Sequence, residues 1–266
     1  MPRLTTSALL TTALFMSGAA SADSFAINEY SASDLGRANS GRTTQTIDPA
    51  ASFGNPALMT EFETSQASLA LASILGDATF NDDGSVDVLG APLGNGSSGI
   101  LDDAIVPAAH AIFVLNDRWR LGVSVNAPFG LSTSYDDDWA GRYQALESEL
   151  KTININPSVA YRVTSTFSIG AGLSAQYADA RLTSAVDFGA TCFSQLGPMT
   201  CASLGLTPQA ADGRAIAEGD DWSYGWNAGL LWRPIPTGLS AFITGQVSIM
   251  SCPVPLGSMC RHKPCL

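Results

Sequence analysis

The chain has 266 residues, with 13 Lys and Arg against 24 Asp and Glu; a formal net charge of −11 leaves too little positive charge to neutralise a nucleic-acid backbone. Charged residues are 14% and hydrophobic ones 45%, with 25 glycines, and beyond the N-terminus no run of about 18 apolar residues exists, which excludes a transmembrane helix from the mature sequence. That combination suits a membrane β-barrel, whose strands turn every second residue towards lipid.

Residues 1–22 read as a secretory signal peptide. Arg3 gives the positive start, "ALLTTALFM" an apolar core too short to span a bilayer, and Ala20, Ser21 and Ala22 a small-residue cleavage site, so the mature chain is expected to begin at Asp23 and to be exported.

Strand candidates begin near "TSQASLALASIL". In "WRLGVSVNAPF", Trp119, Leu121, Val123 and Val125 share a face against Arg120, Gly122, Ser124 and Asn126. In "TININPSVAYRV", Ile153, Ile155, Val159, Tyr161 and Val163 oppose Asn154, Asn156, Ser158 and Arg162. "FSIGAGLSAQY" and "WSYGWNAGLLW" alternate in the same way. Runs of about ten residues with period two match tilted membrane strands, and aromatics at the run ends suit the interfacial girdle. A soluble sandwich alternates too, over shorter runs.

The connections favour the membrane. "LNDRW", "RVTSTF" and "RPIPTG" are tight turns. They alternate with long polar segments at 76–103, 136–150 and 184–221, as short periplasmic turns alternate with long outside loops. The second segment, "DDDWAGRYQALESEL", has the helix formers and charge of an amphipathic helix; its place makes it an outside loop, expected to carry a short helix. About seven strands result, giving an all-β class with a transmembrane antiparallel barrel.

Cys192 and Cys201 fall in one long outside loop of an exported chain, where a disulfide is expected rather than a metal pair. Cys252, Cys260 and Cys265 crowd the last fifteen residues, which lack strand alternation. No cofactor is expected. "YDDDW" reads as a solvated acidic loop before it reads as a cation site. His110 reads as a strand residue, and no nucleophile elbow or Ser-His-Asp context marks an enzyme. Arg142 and Arg181 are candidates to meet a ligand carboxylate, which spacing alone does not decide.

"SFAINEYSASDLGRANSG", "NPALMT", "VPAAH", "APFGLSTSYDDDWAGRYQALESELKTININPSVAYR" and "WSYGWNAGLLW" occur in an order that resembles the FadL/TodX family of outer-membrane transporters for long-chain fatty acids and other hydrophobic molecules. The resemblance runs from about Ser24 to Trp232. It implies a fourteen-strand barrel, monomeric when full length, with residues 23–62 folded inward as a hatch and 63–238 as part of the barrel. Asn55, Pro56 and Ala57 would belong to the hatch. Phe25, third in the mature chain, would help form a hydrophobic ligand pocket. A wall kink would lie at Asn126, Pro128 and Gly130, with Phe129 in its ligand path, and the 136–150 insert would help form an apolar capture groove. Leu131, Trp139, Tyr143 and Leu146 either line that groove or pack the loop. Pro128 offers no N–H to a ladder and Gly130 accepts unusual dihedrals, which fits a wall opening and also an ordinary strand end.

The chemistry agrees with a plugged barrel. An exposed methylene costs about 0.8 kcal/mol, so a fatty acid needs staged apolar sites rather than a water-filled pore. The expected function is passive transport of long-chain fatty acids or related hydrophobic molecules across a bacterial outer membrane. Uptake of hydrocarbons or aromatic compounds by the same fold is the alternative, and a non-transporting surface antigen the reading from another class. The partners are the hydrophobic ligand and outer-membrane lipid. Residues 239–266 do not resemble the family and read as an aberrant tail, so the chain is expected to be a truncated or frameshifted product, or else a short paralogue that closes its barrel by oligomerising. Coding sequence beyond Gly238 in a neighbouring frame decides between these.

Overall fold

The computed structural model describes residues 26–45, 48–87, 89–97, 99–233 and the backbone of 241–249. The expected signal peptide, Phe25 and residues 250–266 lie outside these. Strands β1 (Gln66–Ile74), β2 (Ala104–Val114), β3 (Trp119–Asn126), β4 (Gly130–Ser134), β5 (Glu147–Arg162), β6 (Phe167–Asp187), β7 (Asp212–Trp232) and β8 (Ala241–Ile249) form one antiparallel sheet. The order is β1-β2-β3-β5-β6-β7-β8, with β4 also on β5. Among the described residues β1 and β8 are edge strands. β8 takes up the first part of the region expected as an aberrant tail: its backbone pairs with β7 from Trp232↔Ala241 to Tyr224↔Ile249.

The sheet is inverted relative to a water-soluble fold. Leu69 and Ile105 are each 74% exposed and Leu173 67%, whereas Ser124 and Asn156 are 0% exposed. Period-two alternation puts apolar side chains outward and polar ones inward, which is favourable only if lipid lies outside. Aromatic pairs mark the ends of the band: Trp119 against Tyr161 with ring centroids 4.6 Å apart, and Tyr177 against Trp222 at 5.3 Å. On β7 the ten steps from Trp222 to Trp232 span about 33 Å of strand, or about 25 Å of height at a tilt near 40°.

Inside the curve sit α1 (Ala32–Leu35), α2 (Ala51–Gly54) and a 3-10 helix (Pro56–Glu61). The last of these explains "NPA". Asn55 caps it, accepting from Ala57 N at 3.0 Å, and Pro56 occupies the first helical position, where a missing N–H costs nothing. Ala57 lies so close to β6 that a Cβ at Gly170 would stand 2.5 Å from its nitrogen, so Gly170 seats the helix. Leu58, Met59 and Phe62 pack on the inward Ile112, Ala160 and Leu231. The polar inner face meets the backbone ends of the insert: Arg120 Nε donates to Phe62 O at 2.9 Å, Thr60 to Ser168 Oγ at 2.9 Å, and Asn55 Nδ2 to Leu230 O at 3.3 Å.

Two local expectations are corrected. Turns cover 137–144 in place of the short helix, and Glu147–Leu150 already belong to β5. Those four residues have a strand on both sides, β4 and β6, and two ladders outweigh the helix propensity of "LESEL". The third long loop is 188–211, shorter than the 184–221 expected, because β6 and β7 stay paired to Asp187↔Asp212. Above the lipid both faces meet water, so no apolar alternation reveals these extensions. The loop carries α3 (Phe188–Leu196) and α4 (Pro198–Ser203).

Candidate ligand window in the sheet

β3 and β4 are one course along β5 with an interruption. Asn126 pairs with Asn154, and the ladder resumes at Gly130↔Lys151, so three residues on one side, 127–129, face two on the other. The extra residue is a bulge, which bends its strand. Pro128 lies within it and brings no N–H. Across the gap, β2 pairs with β3 only from Ala109↔Val125 onward; among the described residues Ala104–Ala108 keep β1 alone. Above the gap the wall closes again through the Leu101↔Thr133 bridge and the bond from Ser134 N to Ile100 O at 2.9 Å.

The result is a window in the sheet, occupied by a cavity of about 760 Å³. Outward-facing Leu69 and Ile105 line it together with Phe129 and Leu131 and with Ile27 of the N-terminal segment. It therefore joins the lipid-facing side to the interior. Its floor is the N-terminal segment: Ala26 bridges to Phe129, and Ile27 N donates to Pro128 O at 2.8 Å. Thr152 holds the bulge, accepting from Phe129 N at 3.0 Å and donating to Phe129 O at 2.6 Å.

The sequence-predicted residues divide between two places. Phe129 and Leu131 line the window, as do Asn126 and Gly130. Trp139 and Leu146 lie elsewhere, in a packed loop cluster with Ala185, and are 8% and 6% exposed. Trp139 stacks on Tyr135 with centroids 4.1 Å apart, meets Phe80 edge-on at 5.4 Å, and donates from Nε1 to Ala145 O at 2.8 Å. Tyr143 flanks that cluster. Its hydroxyl bonds Asp212 at 2.9 Å, and burial, then that carboxylate, push its pKa up to about 12.

Arg142 has its guanidinium filled by the protein. It bonds Asp212 at 3.0 Å, Gln209 Oε1 at 3.0 Å, the Tyr143 hydroxyl at 2.8 Å and the Leu93 carbonyl, and so ties the three long connections together. Arg181 lies 3.5 Å from Glu147 and 3.4 Å from Glu218. Cys192 and Cys201 are joined by a disulfide with Cα atoms 5.9 Å apart. Of the acidic run, Asp137 bonds Arg214 at 2.6 Å and Asp138 accepts from Asn95 at 2.8 Å; among the described residues no group of three ligands is placed for a metal. His110 is buried and donates from Nε2 to Tyr30 O at 3.1 Å, a structural bond.

Sequence reading missed Ile27 and the β2 side of the window. Period two from Phe25 reaches Ile27, a usable signal. Nothing local in "DDAIVPAA" says that β2 loses one neighbour there.

The profile of the family described as "Outer membrane protein transport protein (OMPP1/FadL/TodX)" matches residues 13–237. A long-chain fatty acid transport protein of Escherichia coli O6:H1 strain CFT073 is 33% identical over 239 residues, covering 86% of this chain and 51% of the relative. Outer membrane protein P1 of Haemophilus influenzae strain Rd is 30% identical over 256 residues, covering 88% and 55%. The chain thus spans about half the length of the curated relatives it matches. The crystal structure of a Pseudomonas aeruginosa FadL homologue superposes with a TM-score of 0.66 at 24% identity, covering 79% of this chain and 50% of that one, a likeness of fold.

Proposed function

Because this chain belongs to the OMPP1/FadL/TodX family of outer membrane transport proteins, a family of transporters and not of enzymes, we propose that it passes long-chain fatty acids or related hydrophobic molecules through the sheet window by passive transport. The observation that carries the reading is the window itself: an apolar cavity open to the lipid-facing side, where β2 has lost its neighbour, and floored by Ile27. A hydrocarbon tail moving from water into such a cavity gains about 0.8 kcal/mol per methylene, so the site needs no energy source to fill.

In this reading residues 26–62 plug the curve of the sheet and Ile27 is the part that yields. The ligand contacts are Phe129, Leu131 and Ile27, with Phe25 two residues before Ile27 in sequence. The buried Trp139 and Leu146 support loop packing over groove lining. A capture surface for ligand is better sought on the exposed Leu196, Met199 and Leu204 of the third loop. Uptake of oleate and of toluene by cells expressing the chain tests the function: oleate entry supports the fatty acid reading, toluene entry alone moves it to aromatic hydrocarbons, and entry of neither defeats it in favour of a non-transporting surface protein.

A further inference from the structure

Asn126 lies at the inner rim of the window, where β3 ends. It is 1% exposed, its Oδ1 accepts from Asn154 Nδ2 at 3.1 Å, and both its own Nδ2 and the Asn154 Oδ1 beyond it have no partner among the described residues. A buried amide donor without an acceptor is unfavourable unless something supplies one. The two hydroxyl groups of the cavity are already engaged. Thr152 is spent on the Phe129 backbone, and Ser132 Oγ donates to Asp102 Oδ2 at 2.6 Å.

The charges around the cavity are unbalanced. Lys151 is its one cation among the described lining residues, and it is paired with Glu149. Asp102 and Asp103 have no cationic partner among the described residues. A ligand carboxylate would therefore bring a third unpaired negative charge beside two others at the edge of lipid, where screening is poor, and would have to share Lys151 with Glu149.

We propose that the window admits the uncharged form of an amphipathic ligand: a hydrocarbon tail on Ile27, Phe129 and Leu131, and a neutral oxygen acceptor, such as the carbonyl of an ester or of a protonated carboxyl group, on Asn126 Nδ2. This rests on the reading that hydrophobic molecules occupy the window, and it adds the ligand's charge state and the residue that senses its head.

The test uses the full chain in phosphatidylcholine vesicles at about pH 9, where a carboxylic acid is ionised. Radiolabelled dodecanoate and methyl dodecanoate are compared as binding above protein-free vesicles. The ester binds about tenfold more tightly than the acid. Asn126→Leu weakens ester binding about fivefold, the loss of one neutral hydrogen bond. The double variant Asp102→Asn/Asp103→Asn, which leaves the buried amides untouched, brings the acid to within about twofold of the ester. An acid that binds the wild-type chain as tightly as the ester overturns the proposal while leaving the window occupied. Ester binding unaffected by Asn126→Leu removes Asn126 from it. Binding of neither ligand overturns the proposal together with the reading beneath it.

Discussion

The backbone N–H of Ile27 donates to the carbonyl of Pro128 at 2.8 Å, so the N-terminal segment bonds the wall at the bulge where β3 gives way to β4. The Ile27 side chain fits because residue 130 is glycine: a Cβ there would stand 2.7 Å from Ile27 Cδ1. Gly130→Val is expected to push Ile27 off its seat. With Ala26→Cys as reporter and Ile27 left intact, a lipid-soluble maleimide should label the cysteine faster in the Gly130→Val background than beside Gly130. Equal rates would mean that Gly130 does not set this contact.

Leu173 is 67% exposed on the outward face of β6. If that face meets hydrocarbon, Leu173→Arg costs about 2–4 kcal/mol near the bilayer midplane, whereas an exposed leucine on a wet surface tolerates arginine almost freely. Folding into vesicles, followed by urea titration, measures the difference. A change below about 0.5 kcal/mol would place Leu173 in water.

Arg142 joins Leu93, Tyr143, Gln209 and Asp212 across the three long connections. Arg142→Met leaves Asp212 without its cation, and because that carboxylate is partly exposed the cost falls below the fully buried case, at about 2–3 kcal/mol. Hydrogen exchange should show Ala185 N, which donates to Arg142 O at 2.8 Å, losing protection along with the 188–211 loop. Protection unchanged in the variant would make the clasp incidental.

The Cys192–Cys201 bond closes a loop over a sequence separation of 9. In the chain-entropy account so short a loop is stabilised by about 2–3 kcal/mol. Reduction should speed proteolysis between α3 and α4 and leave β6 and β7 uncut, and peptide mass spectrometry without reductant should recover the linked pair. Two free thiols in protein from an oxidising compartment would contradict the assignment.

The membrane part of the sheet was legible because lipid outside and polar packing inside impose period two on every strand, as Trp119–Asn126 and Trp222–Trp232 display. Where that constraint ends, legibility ends. The outer halves of β6 and β7 read as loop because water lies on both faces. Glu147–Leu150 read as helix because its strand partners, Ser134 and Thr183 among them, are distant in sequence. At the site, Pro128 and Gly130 fall where β3 gives way to β4, a pattern that an ordinary strand end shares, and Phe129 and Leu131 lie beside them. Trp139 packs on Tyr135 and Phe80, contacts that its letters alone do not separate from groove lining. The Asn126 donor was invisible in the letters, since an asparagine on an inward face is ordinary and only the geometry shows which of its atoms lacks a partner.

On the proposed route, molecules pass through the window and residues 26–27 close it. The direct measurement is uptake by cells expressing an Ala26→Cys/Phe129→Cys variant in a background with the five native cysteines replaced by serine, since Ala26 and Phe129 are bridged across the floor. Oxidation should abolish uptake of radiolabelled oleate and reduction should restore it, with the single-cysteine variants indifferent to both. Uptake that continues at the same rate with the crosslink formed would show that the route lies elsewhere.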